Sequence, residues 1–275
     1  MLNIAVSGCC GKMGRVIYDL ITSREDCSVC FGIDISGVKY ADFNVYTKVS
    51  DIEKKPDVII DFSHPSLLDD LLDYCLSTGT PIVLATTGYS DEQISQIHKA
   101  SEQIPVFFTF NMSLGINLLA ELAKKATQVL GGQFDIEIIE KHHNQKIDAP
   151  SGTAIMLANA INEELNNSYT YVYDRHSVRQ KRGKTEIGMH AVRGGTIVGE
   201  HEIIFAGRDE VISLSHSASS KEVFAVGSVN AAVYLADKPA GLYDMKNLIW
   251  FTKNPVHKTH WIFFTLPLAL RVKLC

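Results

Sequence analysis

The sequence lacks the features that would indicate a membrane protein, a secreted protein or a nucleic-acid-binding protein. Its apolar run from Trp261 to Leu270 spans about ten residues, whereas a membrane-spanning helix needs about 20. The first residues pass directly into a strand pattern, without the basic region, apolar stretch and cleavage site of a secretory signal. The net charge of −5 provides no basic surface for nucleic acid or anionic lipid. These absences predict a cytoplasmic protein whose partners are small molecules, with neither nucleic acid nor a membrane among them.

The chain is also poor in cysteine, with six in 275 residues and no arrangement that a small disulfide framework would need. Cys27 and Cys30 form a Cys-x-x-Cys pair, but no second pair or nearby histidine completes a zinc site. We therefore expect structural thiols and no metal. The apolar content of 46% and charged content of 21% support packed cores in two domains.

Residues 2–110 alternate short β-branched runs with amphipathic segments, which is typical of βαβ units. The pattern predicts a Rossmann-type doubly wound parallel sheet, in an α/β fold. The predicted strands are 3–6, 28–33, 57–61, 81–85 and 105–109, and the predicted helices are 13–21, 66–76 and 91–102.

The character of the chain changes after Asn111. A helical pattern over 116–129 precedes a strict alternation over 134–140, and another helix follows over 153–165. Residues 185–217 contain strand-like runs broken by glycines. This order predicts an α+β domain with a mixed open sheet, after which a helix over 220–235 could return to the first domain.

A glycine-rich loop follows the first strand and opens the first helix, which is the context of a dinucleotide fingerprint. The residues that we expect to hold the cofactor there are Gly8, Cys9, Cys10, Gly11, Lys12 and Met13. Asp34 ends the second strand 20 residues after Gly14, where a carboxylate can accept hydrogen bonds from ribose hydroxyls and repel a 2′-phosphate. The motif predicts binding of NADH and/or NADPH, with NADH bound at least as well. The alternative is a glycine-rich turn without a ligand.

Two later strand-to-helix loops would complete the cofactor groove, because ligands collect beyond the carboxyl ends of parallel strands. These loops contribute Ala85, Thr86 and Thr87, and Thr109, Phe110, Asn111 and Met112. Ordinary turn chemistry is the alternative interpretation of both.

The run from Glu140 to Ala154 concentrates titratable groups. His142 and His143 bring two imidazoles, the side chain suited to proton transfer, and Lys146 can attract or protonate an anion. The helix start at Ser151, Gly152 and Thr153 offers free N–H groups. The run predicts a site for an anionic small molecule that undergoes proton transfer. A structural histidine pair or a metal site remains the alternative.

These motifs together resemble the 4-hydroxy-tetrahydrodipicolinate reductase family, also called dihydrodipicolinate reductases. The resemblance covers nearly all of residues 1–249, and the pattern Glu-x-His-His-x-x-Lys-x-Asp-x-Pro-Ser-Gly-Thr is its most specific part. The other matching segments are Gly8–Gly14, Asp34, Thr86–Gly88, Asn111–Asn117, Gly199–His201, His216–Ser220 and Gly241–Met245.

The resemblance implies hydride transfer from a reduced nicotinamide to a cyclic imine dicarboxylate in lysine and diaminopimelate biosynthesis. It implies that His142 donates the proton and that Lys146 is its charged partner. The substrate carboxylates would be bound by His143, Ser151, Gly152, Thr153 and Lys221, the last in a position where the family often has arginine. Glu140 and Asp148 would orient the cations, because an anionic substrate repels them.

The resemblance also implies a homotetramer built through the sheets of the substrate domain. We expect residues 1–113 and 221–249 to form the dinucleotide-binding domain and 114–220 the substrate-binding and oligomerisation domain, with 250–275 a non-native or unstructured extension. Three other functions compete with the reductase: another two-domain oxidoreductase acting on a semialdehyde or sugar, an NAD-sensing regulator without turnover, and a metal-dependent lyase.

Overall fold

The computed structural model describes residues 1–251 of the chain. They form two compact units, of which the first comprises Met1–Leu114 and the residues from Glu222 onward, and the second comprises Gly115–Lys221. Among the described residues, no helix combines the length and apolarity that crossing a membrane requires.

The strands and helices are numbered in chain order. The strands are β1 (Leu2–Ser7), β2 (Cys27–Ile33), β3 (Asn44–Tyr46), β4 (Val58–Asp61), β5 (Ile82–Leu84), β6 (Pro105–Phe108), β7 (Asp135–His142), β8 (Thr170–Val172), β9 (Glu186–Arg193), β10 (Gly199–Ala206), β11 (Val211–Ala218) and β12 (Gly241–Tyr243). The helices are α1 (Lys12–Thr22), α2 (Leu68–Thr78), α3 (Asp91–Ser101), α4 (Leu114–Leu130), α5 (Gly152–Glu164), α6 (Glu222–Leu235) and α7 (Met245–Phe251).

The first unit is built on a parallel sheet of seven strands in the order β12-β6-β5-β4-β1-β2-β3. Strand order reverses between β1 and β4, so the loops after these strands border the crevice in which such sheets bind ligands. Side chains of β1 alternate between the faces: Ile4 and Val6 pack with α1 and α6, while Ala5 packs with α2 and α3. Burial on both faces explains why these strands are almost entirely apolar.

The second unit contains a five-stranded mixed sheet in the order β11-β10-β7-β9-β8. Strands β11, β10 and β7 are antiparallel, whereas β7, β9 and β8 are parallel. Helices α4 and α5 cover one face, where Ile136, Ile138, Ile203 and Phe205 form an apolar core with them. Each such buried side chain contributes about 1.5–3 kcal/mol.

The predicted fold class is confirmed: a doubly wound parallel sheet is accompanied by a mixed sheet, and every long predicted element is present within two residues at its ends. The sequence analysis missed β3, β8 and β12, which have three residues each and therefore carry almost no periodicity. The helix α7 was also missed, and its last two residues are the first two of the predicted extension. The remainder of that extension lies outside the described residues.

The Cys27–Cys30 pair lies on β2 with one thiol buried and the other half-buried. Burial raises the pKa of each thiol to about 11, which keeps both protonated near neutrality. This environment is typical of structural cysteines.

Candidate active site

The loop between β1 and α1 packs closely at two glycines, Gly8 in the loop and Gly14 in the first turn of α1, where a side chain would not fit. Gly8 has a φ of +74°, and a Cβ there would lie 2.4 Å from the Phe62 carbonyl oxygen. A Cβ on Gly14 would lie 2.2 Å from the Gly8 carbonyl oxygen. The α1 N-cap, Gly11, supplies no side-chain acceptor, and the first turn of the helix contains no acidic residue. Backbone N–H groups and the positive end of the helix dipole are therefore available to an anion such as a pyrophosphate.

Asp34 lies immediately after β2 and is joined to the same loop. Its Oδ2 accepts a hydrogen bond of 3.0 Å from the Cys10 N–H, and its Oδ1 accepts from the Ser36 N–H and hydroxyl. Partial burial acts to raise the pKa of this carboxyl, but the hydrogen bonds from Ser36 and Cys10 outweigh burial and hold the pKa below its usual value. The ionised Oδ2 retains capacity for one further donor, as a ribose hydroxyl would provide.

The loops after β5 and β6, predicted to border the cofactor, have side chains with partners inside the protein. The Thr86 hydroxyl donates to the buried Asp61 carboxylate at 2.7 Å, so it serves the structure of the loop. Asp61 also accepts from the Ser63 hydroxyl at 2.6 Å and from the Tyr89 hydroxyl at 3.2 Å.

Residues 109–112 divide into a buried and an exposed part. Met112 is buried. A Cβ on Gly227 would lie only 1.7 Å from the Met112 carbonyl oxygen, so the backbone at Met112 packs directly against this glycine. Asn111 accepts a hydrogen bond from the Ser113 N–H through its side-chain oxygen. Phe110 is 75% exposed, so its ring and the neighbouring backbone are what this loop offers to a ligand.

In the second unit, the core face of the sheet changes from apolar to ionisable at one end. Along β7 the residues on this face are Ile136, Ile138, Glu140 and His142, and on β10 His201 lies directly opposite Glu140. The Glu140 carboxylate is fully buried, with Oε2 accepting from His142 Nδ1 at 2.6 Å and Oε1 accepting from the Ser151 N–H at 3.0 Å.

Burial acts to raise the pKa of Glu140, but the hydrogen bonds from Arg193, His142 and the Ser151 N–H are stronger and hold it below its usual value. Because this carboxylate is ionised, His142 Nδ1 carries a hydrogen and Nε2 is the nitrogen left for chemistry. A Cβ on Gly199 would lie 3.2 Å from that Nε2, so the glycine leaves space in front of it. The geometry can therefore present a proton at a defined atom.

Lys146 and the helix start lie on the loop that follows β7. Lys146 Nζ pairs with Asp148 Oδ1 at 2.8 Å, and this hydrogen bond holds the pKa of Asp148 below its usual value. The Lys146 N–H donates to the His143 carbonyl oxygen, which closes the turn between the predicted substrate-binding His143 and the predicted charged partner of His142. At Gly152, a Cβ would meet nothing within 4 Å, so the α5 N-terminus adjoins open space.

Ser151, predicted to bind substrate, has partners within the structure. It is 2% exposed, its hydroxyl oxygen accepts from the Ala154 N–H as the α5 N-cap, and the same oxygen lies 3.2 Å from His201 Nε2. Thr153 follows in the first turn of α5. Lys221 is exposed at the end of the second unit, and within residues 1–251 no hydrogen bond or ion pair joins it to the Glu140–His142 pair.

Three residues of this cluster received no role in the sequence analysis: Arg193, which it did not name, and His201 and His216, which it named only within matching segments. His201 is 4% exposed, and burial together with the neighbouring His142 lowers its pKa to about 3, so it is neutral. His216 is paired with His201 across β10 and β11, and burial lowers its pKa as well. Arg193 faces His142 across β7 and β9. The signal in the sequence was their position near strand ends, but it becomes informative only once strand register is known.

Comparisons with known proteins agree with this arrangement. The family models described as "Dihydrodipicolinate reductase, N-terminus" and "Dihydrodipicolinate reductase, C-terminus" match residues 2–112 and 115–249. A 4-hydroxy-tetrahydrodipicolinate reductase of Caldanaerobacter subterraneus subsp. tengcongensis is 47% identical over 249 residues, which cover 90% of this chain and 98% of that protein. One of Clostridium tetani is 46% identical over 245 residues, covering 89% of this chain and 96% of the relative.

Solved structures give the same result. A dipicolinate-bound dihydrodipicolinate reductase from Paenisporosarcina sp. TG-14 superposes with a TM-score of 0.75 at 25% identity, covering 90% of this chain and 99% of that one. A myo-inositol dehydrogenase from Lactobacillus casei, in complex with NAD(H) and myo-inositol, has a TM-score of 0.55 at 15% identity over 88% of this chain and 89% of that one, and shows a shared fold alone. The chain belongs to the dihydrodipicolinate reductase family.

Proposed function

We propose that this protein reduces 4-hydroxy-tetrahydrodipicolinate to tetrahydrodipicolinate with NADH or NADPH, as a step of lysine and diaminopimelate biosynthesis. The observation that carries the proposal is the His142 imidazole, whose Nδ1 is bound to a buried carboxylate and whose Nε2 lies beside Gly199, a residue without a side chain. Family membership supplies the substrate class, and the pair of His142 with Lys146 supplies the chemistry that such a substrate needs.

The chain's own residues divide the work in this proposal. A reduced nicotinamide supplies the hydride when it is bound, and the glycine loop and Asp34 fit its dinucleotide. His142 Nε2 holds the proton that the ring carbon next to the hydride acceptor receives, since an imidazole titrates close to neutral pH. Lys146, in the turn after β7, stabilises negative charge as it develops on the ring. His143, Gly152 and Thr153 bind the two carboxylates.

We further propose that residues 1–113 and 221–249 bind the dinucleotide and that 114–220 bind substrate and form the contacts of a cytoplasmic homotetramer. The outer face of the mixed sheet supports the second part, because it carries half-buried Ile139 and Ile204 among exposed serines of β11. A face of this kind is suited to contact with another copy of the chain.

The activity can be measured as NADH or NADPH oxidation, coupled to a synthase that makes the heterocycle from aspartate semialdehyde and pyruvate. We expect oxidation that requires the synthase and both of its substrates. Omission of the synthase is the control, and a parallel assay with NAD⁺ and myo-inositol tests the polyol dehydrogenases that share the fold. No oxidation in the coupled assay, or turnover of the polyol, would remove the proposed function.

Cofactor preference provides a separate prediction, based on Asp34. We expect Kd for NADH to be no weaker than Kd for NADPH, because the carboxylate accepts from a ribose hydroxyl and repels a 2′-phosphate. Asp34→Asn should weaken NADH binding about tenfold and strengthen NADPH binding, as measured by fluorescence titration. Asp42→Asn is the matched control, since Asp42 is an exposed acid whose nearest cation, Lys39, lies 3.8 Å away. Exclusion of NADH by the unmodified protein would contradict this assignment.

A further inference from the structure

Arg193 is the last residue of β9, and its guanidinium uses four of its five N–H groups within the cluster. Nη1 and Nη2 donate to Glu140 Oε2 and Oε1, each at 2.7 Å. Nη2 also donates to the Asp148 carbonyl oxygen at 2.6 Å, and Nη1 to the Val192 carbonyl oxygen at 2.8 Å. The two bonds to Glu140 form the bidentate geometry that an arginine, but not a lysine, can make with a carboxylate.

Glu140 needs this partner because its carboxylate is withdrawn from water. A buried charge without a counter-charge costs several kcal/mol, about as much as a small domain can lose. The same carboxylate holds His142 through Oε2 and the Ser151 N–H through Oε1. Arg193 therefore lies behind both the histidine that would donate the proton and the start of the helix that would bind a carboxylate.

The Arg193 guanidinium also determines the net charge of the cluster around Glu140 and His142. Arg193 and Glu140 together are neutral, and Lys146 is paired with Asp148, so Glu140 adds no net negative charge to the space in front of His142. Without Arg193, the Glu140 charge would act on the same space and repel a dianion. A carboxylate that orients a catalytic imidazole beside a dianionic substrate therefore requires a neutralising cation on its other side.

The contact with the Asp148 carbonyl oxygen extends this role to the loop after β7. Asp148 accepts from Arg193 through its carbonyl oxygen and from Lys146 through its side chain. The guanidinium thus joins the end of β7 to the loop that carries the charged partner of His142. A fixed span between a proton donor and its cation is a condition for efficient transfer.

We propose that Arg193 is a positioning residue, which neutralises Glu140 so that this carboxylate orients His142 without repelling a dianionic substrate, and which fixes the loop that carries Lys146. The proposal rests on the proposed function, since it assigns His142 and Lys146 to that reaction. It is independent of which nicotinamide dinucleotide is used.

Kinetics of two variants separate charge from geometry. Arg193→Met should raise KM for the heterocycle about tenfold and lower kcat about tenfold, with Kd for NADH unchanged. Arg193→Lys retains the charge but not the two parallel bonds, so KM should stay within about twofold while kcat falls about fivefold. Arg182→Met is the matched control: the Arg182 side chain is 18% exposed against 20% for Arg193, and it pairs with Asp135 and Glu137 at the far end of β7. It should change neither constant by more than about twofold.

A measurement that does not require enzyme activity tests the role of Arg193 separately from the proposed function. The titration of His142 can be followed by NMR in the full chain, with Glu140, Arg193, His201, His216, Lys146 and Asp148 as the ionisable groups of the cluster around it. Removing the guanidinium leaves Glu140 uncompensated, so Arg193→Met should move the midpoint upward by about one pH unit. Arg182→Met should leave it in place.

Binding of dipicolinate, the dianion present in the Paenisporosarcina structure, completes the test. Its Kd should rise about tenfold in Arg193→Met and stay within about twofold in Arg193→Lys. Unchanged dipicolinate affinity and an unchanged His142 midpoint in Arg193→Met would overturn the proposal, even if the enzyme is active. If Arg193→Met does not fold, Arg193→Lys alone tests the proposal. An increase in KM as large as the decrease in kcat in that variant would also overturn the proposal. If the unmodified protein has no reductase activity but Arg193→Met still shows both shifts, the role of Arg193 stands and the proposed reaction is rejected.

Discussion

Replacing His142 with glutamine is expected to lower kcat by about a hundredfold or more, while NADH still binds with its usual Kd. Glutamine is close in size to histidine and can still donate a hydrogen bond to Glu140, so the local packing should survive. What it cannot do is release a proton near neutral pH. Since the dinucleotide loop belongs to the other unit, the loss should fall on the chemical step, as measured by steady-state kinetics beside a binding titration.

The adjacent histidine is the matched control for this variant. His143→Gln removes an imidazole that lies one residue beyond β7 and has no carboxylate partner of the Glu140 kind among residues 1–251. We expect its main effect on KM, because its proposed task is to bind a carboxylate. Equal losses of kcat in both variants, or near-normal turnover in His142→Gln, would show that the proton comes from elsewhere.

Replacing Lys146 with alanine is expected to lower kcat by a similar factor, about a hundredfold. The ammonium group is the cation of the turn after β7, and it forms an ion pair with Asp148 at 2.8 Å. Its removal takes away the positive charge that stabilises the developing anion and leaves Asp148 unpaired close to the substrate. Both effects act in the same direction, and the loss should shrink as ionic strength screens the Asp148 charge.

Lys141→Ala provides the comparison. Lys141 lies on the same strand as His142 but on the opposite face of the sheet, where it pairs with Glu200 at 2.9 Å. Surface pairs of this kind contribute about 0–1 kcal/mol, so we expect turnover to change by less than about twofold. If Lys141→Ala and Lys146→Ala lost activity together, a general effect of charge on the unit would explain both, and the specific role of Lys146 would fail.

Local patterns made most of the fold accessible from the sequence. Gly8, Gly14 and Asp34 occupy fixed positions relative to one strand and one helix, so their spacing carries the information that places them together. The Glu140–Thr153 run is similar, because its members are neighbours along the chain. Within it, the assignment of Glu140 as an orienting group agrees with the observed bond to His142 Nδ1.

Contacts between distant strands could not be found in this way. Arg193 and His201 reach Glu140 only through the registers of β9 and β10, and a shift of one residue would place either side chain on the other face. Ser151 is a different case. Its place in the motif predicts contact with substrate, and the sequence gives no sign that its hydroxyl also caps α5 and lies close to His201. Such roles arise because buried polar groups need hydrogen-bond partners, and these partners are known only once the fold is known.

The carboxylate of Asp61 has a consequence for motion in the first unit. Hydroxyl groups from Ser63, Thr86 and Tyr89 converge on it, so the segments after β4 and β5 share one buried acceptor. Opening any one segment would leave the others with an incompletely bonded polar centre, which couples their fluctuations. We therefore expect the loops after β4 and β5 to open together, so that a ligand approaching that edge meets both segments in the same state.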